Sequence, residues 1–215
     1  MPTGSGPKAH YNKDMKRRTF ISSALALPLL GTPMLGHAQD QRTLGEVSKY
    51  LNQLRSVQGR FRQISPNGAR TGGKFFMVRP GLIRFEYDRE SALVIADGIN
   101  IGIFDSKSNA RANKYLLSQT PLRLLLQKDI DLTEPGISRS TSNDGANTSV
   151  VLVDPKRPND GTMTLVFSNS PPALTQWIVR EKTGEQTTVI LEDLQKVSGL
   201  NRRLFNIEWE QLQRQ

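Results

Sequence analysis

The chain has 215 residues, 36% hydrophobic and 23% charged, and a formal net charge of +9. That is globular composition, long enough for one domain with a real core. There is no cysteine, and both histidines, His10 and His37, fall in the first 38 residues. The rest of the chain therefore excludes disulfides, His/Cys zinc sites, Ser-His-Asp or Cys-His catalysis and histidine acid–base work.

Residues 15–38 read MKRRTFISSALALPLLGTPMLGHA. A basic start (Lys16, Arg17, Arg18) precedes an apolar run from Phe20 to Leu30 and a small-x-small site at Gly36-His37-Ala38. That is the layout of a cleaved export signal. The apolar run is too short for a membrane span, which needs ~20 residues. Arg17-Arg18-Thr19-Phe20-Ile21 looks like a twin-arginine signal, with Sec export as the alternative. Residues 1–14 fit no part of a signal, and Met15 is an alternative start. Two segments follow: an N-terminal extension and export signal over 1–38, and a single domain over 39–215. The signal carries no lipobox cysteine, so the expected product is a soluble periplasmic protein. Residues 1–38 hold five Lys/Arg and one acid, so the remainder carries 29 − 5 = 24 basic and 20 − 1 = 19 acidic residues, about +5. The basic residues are scattered. Nucleic acid is not the expected partner; a weak preference for acidic partners or anionic surfaces is.

From Thr43 to Val57, the residues Leu44, Val47, Leu51, Leu54 and Val57 recur at three- and four-residue spacing. This predicts one amphipathic helix, capped by Thr43 and ended by Gly59. Short runs rich in Phe, Val, Ile, Tyr, Thr and Trp then alternate with Gly, Pro, Asn and Asp. They predict strands near 59–65, 73–79, 82–88, 92–97, 99–104, 111–116, 148–154, 162–168, 173–181, 185–194 and 203–209. Pro80-Gly81, Asp97-Gly98 and Thr183-Gly184 are hairpin signals, so the pattern is an antiparallel meander. The interruption at TPLRLLLQKDIDL opens on Pro121 and collects Leu122, Leu124, Leu125 and Leu126, which predicts a short apolar helix. Residues 138–148, rich in Ser, Asn, Gly and Asp, read as an exposed loop.

Alternation puts Phe75, Met77 and Arg79 on one face, and Ile83, Phe85 and Tyr87 on one face after the turn. Trp177 and Val179 likewise share a face. One-sided sheets need a cover, and the N-terminal helix and the Leu-rich insert are the only candidates. A sheet curled around them is either a filled core or keeps a cavity; the pattern fits both.

These features, in order, resemble the LolA family of periplasmic outer-membrane lipoprotein carriers. Phe61-Arg62-Gln63 is similar to the family's Phe-x-Gln after the helix. Gly73 to Pro80 resembles its glycine, apolar strand and Arg-Pro, and Leu82 to Tyr87 its aromatic strand. Leu93 to Gly98 resembles its Asp-Gly hairpin, Thr120 to Leu126 its lid helix, and Leu174 to Leu191 its C-terminal meander. Arg180 departs from the acid expected there. The resemblance implies a mainly β fold: an unclosed antiparallel barrel of about eleven strands, with an N-terminal helix and a mid-chain helical lid. It implies an apolar cavity for lipoprotein acyl chains, with Phe75, Met77, Ile83, Phe85, Tyr87, Leu93, Ile95, Trp177 and Val179 as candidate lining. Leu122, Leu124, Leu125 and Leu126 would belong to the lid, and Arg79 would tie barrel to lid. Without the family, Arg79 reads as a solvated strand end. An inner-membrane ABC exporter and an outer-membrane receptor are the implied partners of a monomeric carrier that needs no cofactor or metal. A carrier or envelope-stress sensor of the same fold, binding another lipid, is the alternative. Catalysis would have to rest on carboxylate pairs such as Asp129 and Asp131, which read more simply as solvated turn residues. The expectation is a protein that is not an enzyme.

Overall fold

The computed structural model describes residues 35–89, 92–105 and 111–214. The export signal therefore lies outside the described residues, apart from its last few positions. Helix α1 spans Leu35–Gln53, and eleven antiparallel strands follow. They are β1 (Ser56–Ile64), β2 (Arg70–Val78), β3 (Leu82–Tyr87), β4 (Leu93–Asp97), β5 (Asn100–Phe104), β6 (Asn113–Leu116), β7 (Ser138–Asn143), β8 (Asn147–Leu152), β9 (Gly161–Asn169), β10 (Pro172–Glu181) and β11 (Gln186–Lys196). Their order in the single sheet is β6-β5-β4-β3-β2-β1-β11-β10-β9-β8-β7. Neighbours in space are neighbours in sequence except at β1–β11, where the last strand returns to pair the first. β6 and β7 stay as free edges, so the barrel is unclosed, as the resemblance implied.

Four expected elements differ: the first helix, the loop at 138–148, the strand at 203–209 and the mid-chain helix over the interior. The first helix ends at Gln53 rather than Val57, because Val57 is already paired with Met77 and Lys196 in the sheet. Its apolar side chain continues the helical spacing by coincidence: a buried strand residue and a buried helix residue look alike at one position. The expected loop at 138–148 is the β7–β8 hairpin. β7 is the polar edge of the sheet and carries no apolar alternation to betray it. Its turn shows in the side chains: Asp144 Oδ1 accepts from the backbone N–H of Ala146 (2.9 Å) and Asn147 (2.6 Å).

The expected strand at 203–209 is instead a 3-10 turn, Arg202–Phe205, followed by helix α2, Ile207–Gln213. Asn201 Oδ1 accepts from Arg203 N at 3.0 Å, and Asn206 Oδ1 from Trp209 N at 2.7 Å. Each caps a turn, and Glu208 and Glu210 complement the start of α2. Gaining β7 and losing this strand leaves the count at eleven.

The sheet has two faces and each has a cover. The inner face carries α1 and the segment 117–137, which together bury Leu51, Phe61, Phe75, Ile83, Leu125 and Leu132 almost completely. The outer face of β3–β5 is covered by the C-terminal segment, where Leu82, Leu93, Ile95, Phe104, Phe205 and Ile207 form a second core. Arg84 anchors this cover. Its Nη1 donates to Leu204 O (2.9 Å) and Glu210 Oε2 (3.1 Å), its Nε donates to Glu86 (2.7 Å), and Arg214 donates to Glu210 (3.0 Å). Partial burial alone would raise the Glu210 pKa, but the hydrogen bonds from Arg214 and Arg84 and their charges together lower it. A carboxyl whose pKa is depressed by folding stabilises the fold above its unfolded value, 4.5, and loses that contribution as pH falls through the lower folded value. We expect Glu210→Gln to cost about 1–2 kcal/mol at pH 7. In urea unfolding the difference between the two proteins should begin to shrink as pH falls through about 4.5 and vanish only below the lower folded value.

Candidate lid contacts and the apolar interior

Gly73 sits between Phe61 and Tyr87 in register. A Cβ there would run into the backbone carbonyl of Glu86. The missing side chain lets the two flanking rings meet edge-on, with centroids 5.2 Å apart. From this pair an aromatic set continues along the inner face. Phe61 packs on Phe85 (5.0 Å), Phe85 on Phe75 (6.3 Å), and Trp177 on both Phe75 (6.4 Å) and Phe85 (6.2 Å). Of the residues expected to line an interior, Phe75, Met77, Ile83, Phe85 and Trp177 are buried there together, and Tyr87 and Val179 pack half-buried against them.

Leu93 and Ile95 do not join them. They belong to the outer core under Phe205 and Ile207. The pairings Phe85↔Val94 and Ile83↔Ala96 put Val94 and Ala96 on the inner face instead. Both faces of β4 are apolar, so sequence alternation at β4 could not choose between them.

The segment over the inner face is not an α-helix. It runs as two 3-10 turns, Leu117–Gln119 and Pro121–Leu124, and then as irregular chain to Ile137. Leu124, Leu125 and Leu126 are all buried against the sheet and Leu122 half-buried. Consecutive leucines in a regular helix would diverge by about 100° or more per residue, and the chain leaves the 3-10 turn at Leu124, which lets Leu125 and Leu126 also face the sheet. The far side is held by the ion pair of Arg123 with the buried Asp154 and by Arg157 Nη1 donating to Ser118 O (2.7 Å).

Arg79 lies in the β2–β3 turn and is 5% exposed. The turn needs Gly81: its φ is +82°, and a Cβ would meet Gly98 Cα at 2.8 Å. This holds Arg79 under the last turn of α1. The Arg79 N–H donates to Arg55 O at 2.8 Å. Its Nη2 donates to Leu51 O at 2.7 Å and Asn52 Oδ1 at 3.3 Å. Leu51 O lies in the last turn of α1, at the negative end of the helix dipole, and also accepts from Leu54 N at 3.0 Å. Nε and Nη1 of Arg79 are buried without a hydrogen-bond partner. Burial lowers the Arg79 pKa first, the Arg55 charge adds to this, and Asp129 opposes it. The guanidinium stays charged all the same. Arg79 is thus a buried cation rather than the solvated strand end that the residues alone suggested, and its side chain uses one of its three nitrogens.

The expected carbonyl partners were those of the mid-chain segment. The observed carbonyl belongs to α1, and the link to the segment runs through Asn52. Asn52 Nδ2 donates to Ile130 O (2.8 Å) and its Oδ1 accepts from Ile130 N (3.0 Å), in the manner of a strand neighbour. One turn earlier Ser48 Oγ accepts from Leu132 N at 2.9 Å and donates to Leu44 O at 2.7 Å. Gly81 N donates to Leu126 O at 2.9 Å, and Arg55 binds Lys128 O and Asp129. Sequence reading missed Ser48 and Asn52. The available signal was two poor helix formers four residues apart on the apolar face of a helix. Removing the Asn52 amide is expected to cost about 1–3 kcal/mol, since Ile130 would keep a buried N–H and C=O unpaired. In Asn52→Ala, amide exchange at 126–132 should accelerate well ahead of exchange in β9 and β10.

Asp129 and Asp131 do not converge as a catalytic pair. Asp129 pairs with Arg55 at 3.0 Å. Asp131 caps its own turn at Thr133, whose hydrogen bonds lower its pKa, the opposite of what a general acid requires. Among the described residues no cluster of three or more His, Cys, Asp or Glu is placed to hold a metal ion.

The architecture is that of an unclosed β-barrel whose apolar interior is capped by a polar-bonded lid. The sequence pattern of the family described as "Outer membrane lipoprotein carrier protein LolA" matches residues 52–208, and the chain belongs to that family. Two relatives named outer-membrane lipoprotein carrier protein are similar over 200 residues. The one from Pseudomonas paraeruginosa is 26% identical and the one from Pseudomonas aeruginosa strain UCBPP-PA14 25%. Each alignment covers 89% of this chain and 93% of the relative. The solved structure of a LolA superfamily protein from Nitrosomonas europaea is 11% identical, with a TM-score of 0.41, covering 79% of this chain and 98% of that one.

Proposed function

We propose that this protein is a periplasmic carrier that takes lipoproteins from the inner to the outer membrane by holding their acyl chains in its apolar interior. The observation that supports this best is the imbalance between interior and cover. The inner face is a continuous apolar and aromatic surface, while its cover is an irregular segment held by its own buried leucines and by polar bonds through Asn52, Ser48, Gly81, Arg55, Arg123 and Arg157, beside an under-used Arg79. A neutral hydrogen bond is worth about 1 kcal/mol net. Burying an acyl chain is worth ~0.8 kcal/mol per methylene, so a chain of roughly fourteen methylenes offers ~11 kcal/mol. An entering chain can displace the cover without any covalent step, and the cover can return when a better acceptor takes the chain. No helix among the described residues is long and apolar enough to cross a membrane. The basic and apolar stretch over 15–38 supports export. On this reading a monomer receives its cargo from an inner-membrane ABC exporter and yields it to an outer-membrane receptor.

The test is native mass spectrometry of the protein purified from the periplasm, with lipid extraction of what co-purifies. A bound lipoprotein displaced by an apolar competitor is the expected result. Free lipid without a polypeptide would make it a carrier of another lipid. An empty protein that takes up no apolar fluorescent probe would mean the interior is only a core, and would end the carrier reading.

A further inference from the structure

A second feature lies on the opposite face of the sheet. Phe61 points inward, so Arg60 and Arg62 point outward. Beside them a recess of about 790 Å³ opens across β11, β1, β2 and the end of β3. Gly72 forms its floor. A Cβ at Gly72 would meet Phe61 O at 2.9 Å, so the position resists a side chain and its backbone stays uncovered between Arg62 and Asp88. Four arginines line the recess: Arg60, Arg62, Arg70 and Arg89. Only two acids accompany them. Asp88 pairs with Arg60, and Glu192 with Arg62 at 2.6 Å. Four positive and two negative charges leave the recess at 4 − 2 = +2. Arg70 and Arg89 have no ion-pair or hydrogen-bond partner among the described residues.

We propose that this recess docks an extended acidic segment of a partner protein. The spread of charge identifies the ligand. The lining residues sit on four adjacent strands, and three inter-strand steps of ~4.8 Å span about 14 Å. A single phosphate or carboxylate would engage one end of that span. Four extended residues at ~3.3 Å each would cross it and place alternate carboxylates against different guanidinium forks. Asp88 and Glu192 hold their arginines in position, which lowers the ordering cost of binding. They also set negative charge inside the recess, which works against a uniformly anionic membrane surface and favours discrete carboxylates that reach Arg70 and Arg89. The concave shape points the same way, and Ile64 and Ile190 offer apolar contact for the segment's methylenes. Its charged side chains lie on the outer face, with Phe61 and Tyr87 of the inner aromatic set also bordering it, and binding there needs no acyl cargo, so the proposal does not rest on the carrier reading.

The experiment is fluorescence anisotropy of a fluorescein-labelled peptide of four Gly-Glu repeats, titrated with the full-length protein in 20 mM and 200 mM NaCl. Phosphatidylglycerol–phosphatidylcholine vesicles and inorganic phosphate serve as competitors. Saturable binding at low salt, weakened at least fivefold at high salt and at least tenfold by the double substitution Arg70→Ser with Arg89→Ser, is expected. Both side chains are unpaired, so the thermal midpoint should not move. Arg139→Ser, on the exposed edge strand β7, should bind like the parent protein. Equal binding by the double variant would overturn the proposal. So would absence of peptide binding, or vesicle or phosphate binding that depends on Arg70 and Arg89 where the peptide does not bind.

Discussion

Arg79→Leu is expected to retain an apolar probe about tenfold more tightly than the parent protein and to release it correspondingly more slowly. Arg79 donates to the Leu51 carbonyl and to Asn52, which in turn holds both backbone groups of Ile130. Hydrogen bonds from a charged donor contribute about 1.5–3 kcal/mol. Part of that is cancelled, because Nε and Nη1 are buried without partners and each such group costs about 1–3 kcal/mol. The two bonds together contribute about 3–6 kcal/mol and the two unpaired donors cost about 2–6 kcal/mol, so the side chain leaves a net on the order of 1 kcal/mol for the covered state, and ~1.4 kcal/mol is tenfold in an equilibrium constant. Leucine removes both the bonds and the unpaired donors and shifts the balance toward the open, loaded state. Probe dissociation measured by stopped-flow fluorescence checks this. Loading and release unchanged from the parent protein would sink the idea that Arg79 acts as a latch, and leave it a buried structural cation.

The second large effect is on stability. Phe75 is fully buried and touches the rings of Phe85 and Trp177. Phe75→Ala should cost about 3–5 kcal/mol, the usual loss for a buried aromatic ring whose surroundings relax only partly. For a domain of this size that is a fall of roughly 10 °C in thermal midpoint. The same change enlarges the interior. Carrier function therefore predicts a distinctive pairing: a less stable protein that nonetheless takes up a bulkier apolar probe than the parent does. A loss of stability with no gain in uptake would identify the aromatic set as core and nothing more.

Ten of the eleven strands, the hairpins at Pro80-Gly81, Asp97-Gly98 and Thr183-Gly184, and the inward row from Phe75 to Phe85 and Trp177 were all readable from local order. Hairpin chemistry and two-residue alternation act between near neighbours, and each leaves its mark within a few residues. Three things left no mark in the local pattern. β7 is a strand because β8 pairs with it, and no apolar face announced it. Residues 202–213 are helical because Asn201 and Asn206 cap their turns and because β3–β5 offered an apolar outer face to cover, which also drew Leu93 and Ile95 away from the interior. Arg79 could be located in its turn from the sequence, but its burial could not. Only the approach of α1 sets Leu51 O and Asn52 within reach of the guanidinium and excludes water from the rest of it. Local sequence determined which strands turn back on one another, since that depends on short-range sterics. Tertiary packing decided which face of each strand is covered and which cation is buried, since desolvation depends on everything that surrounds a group.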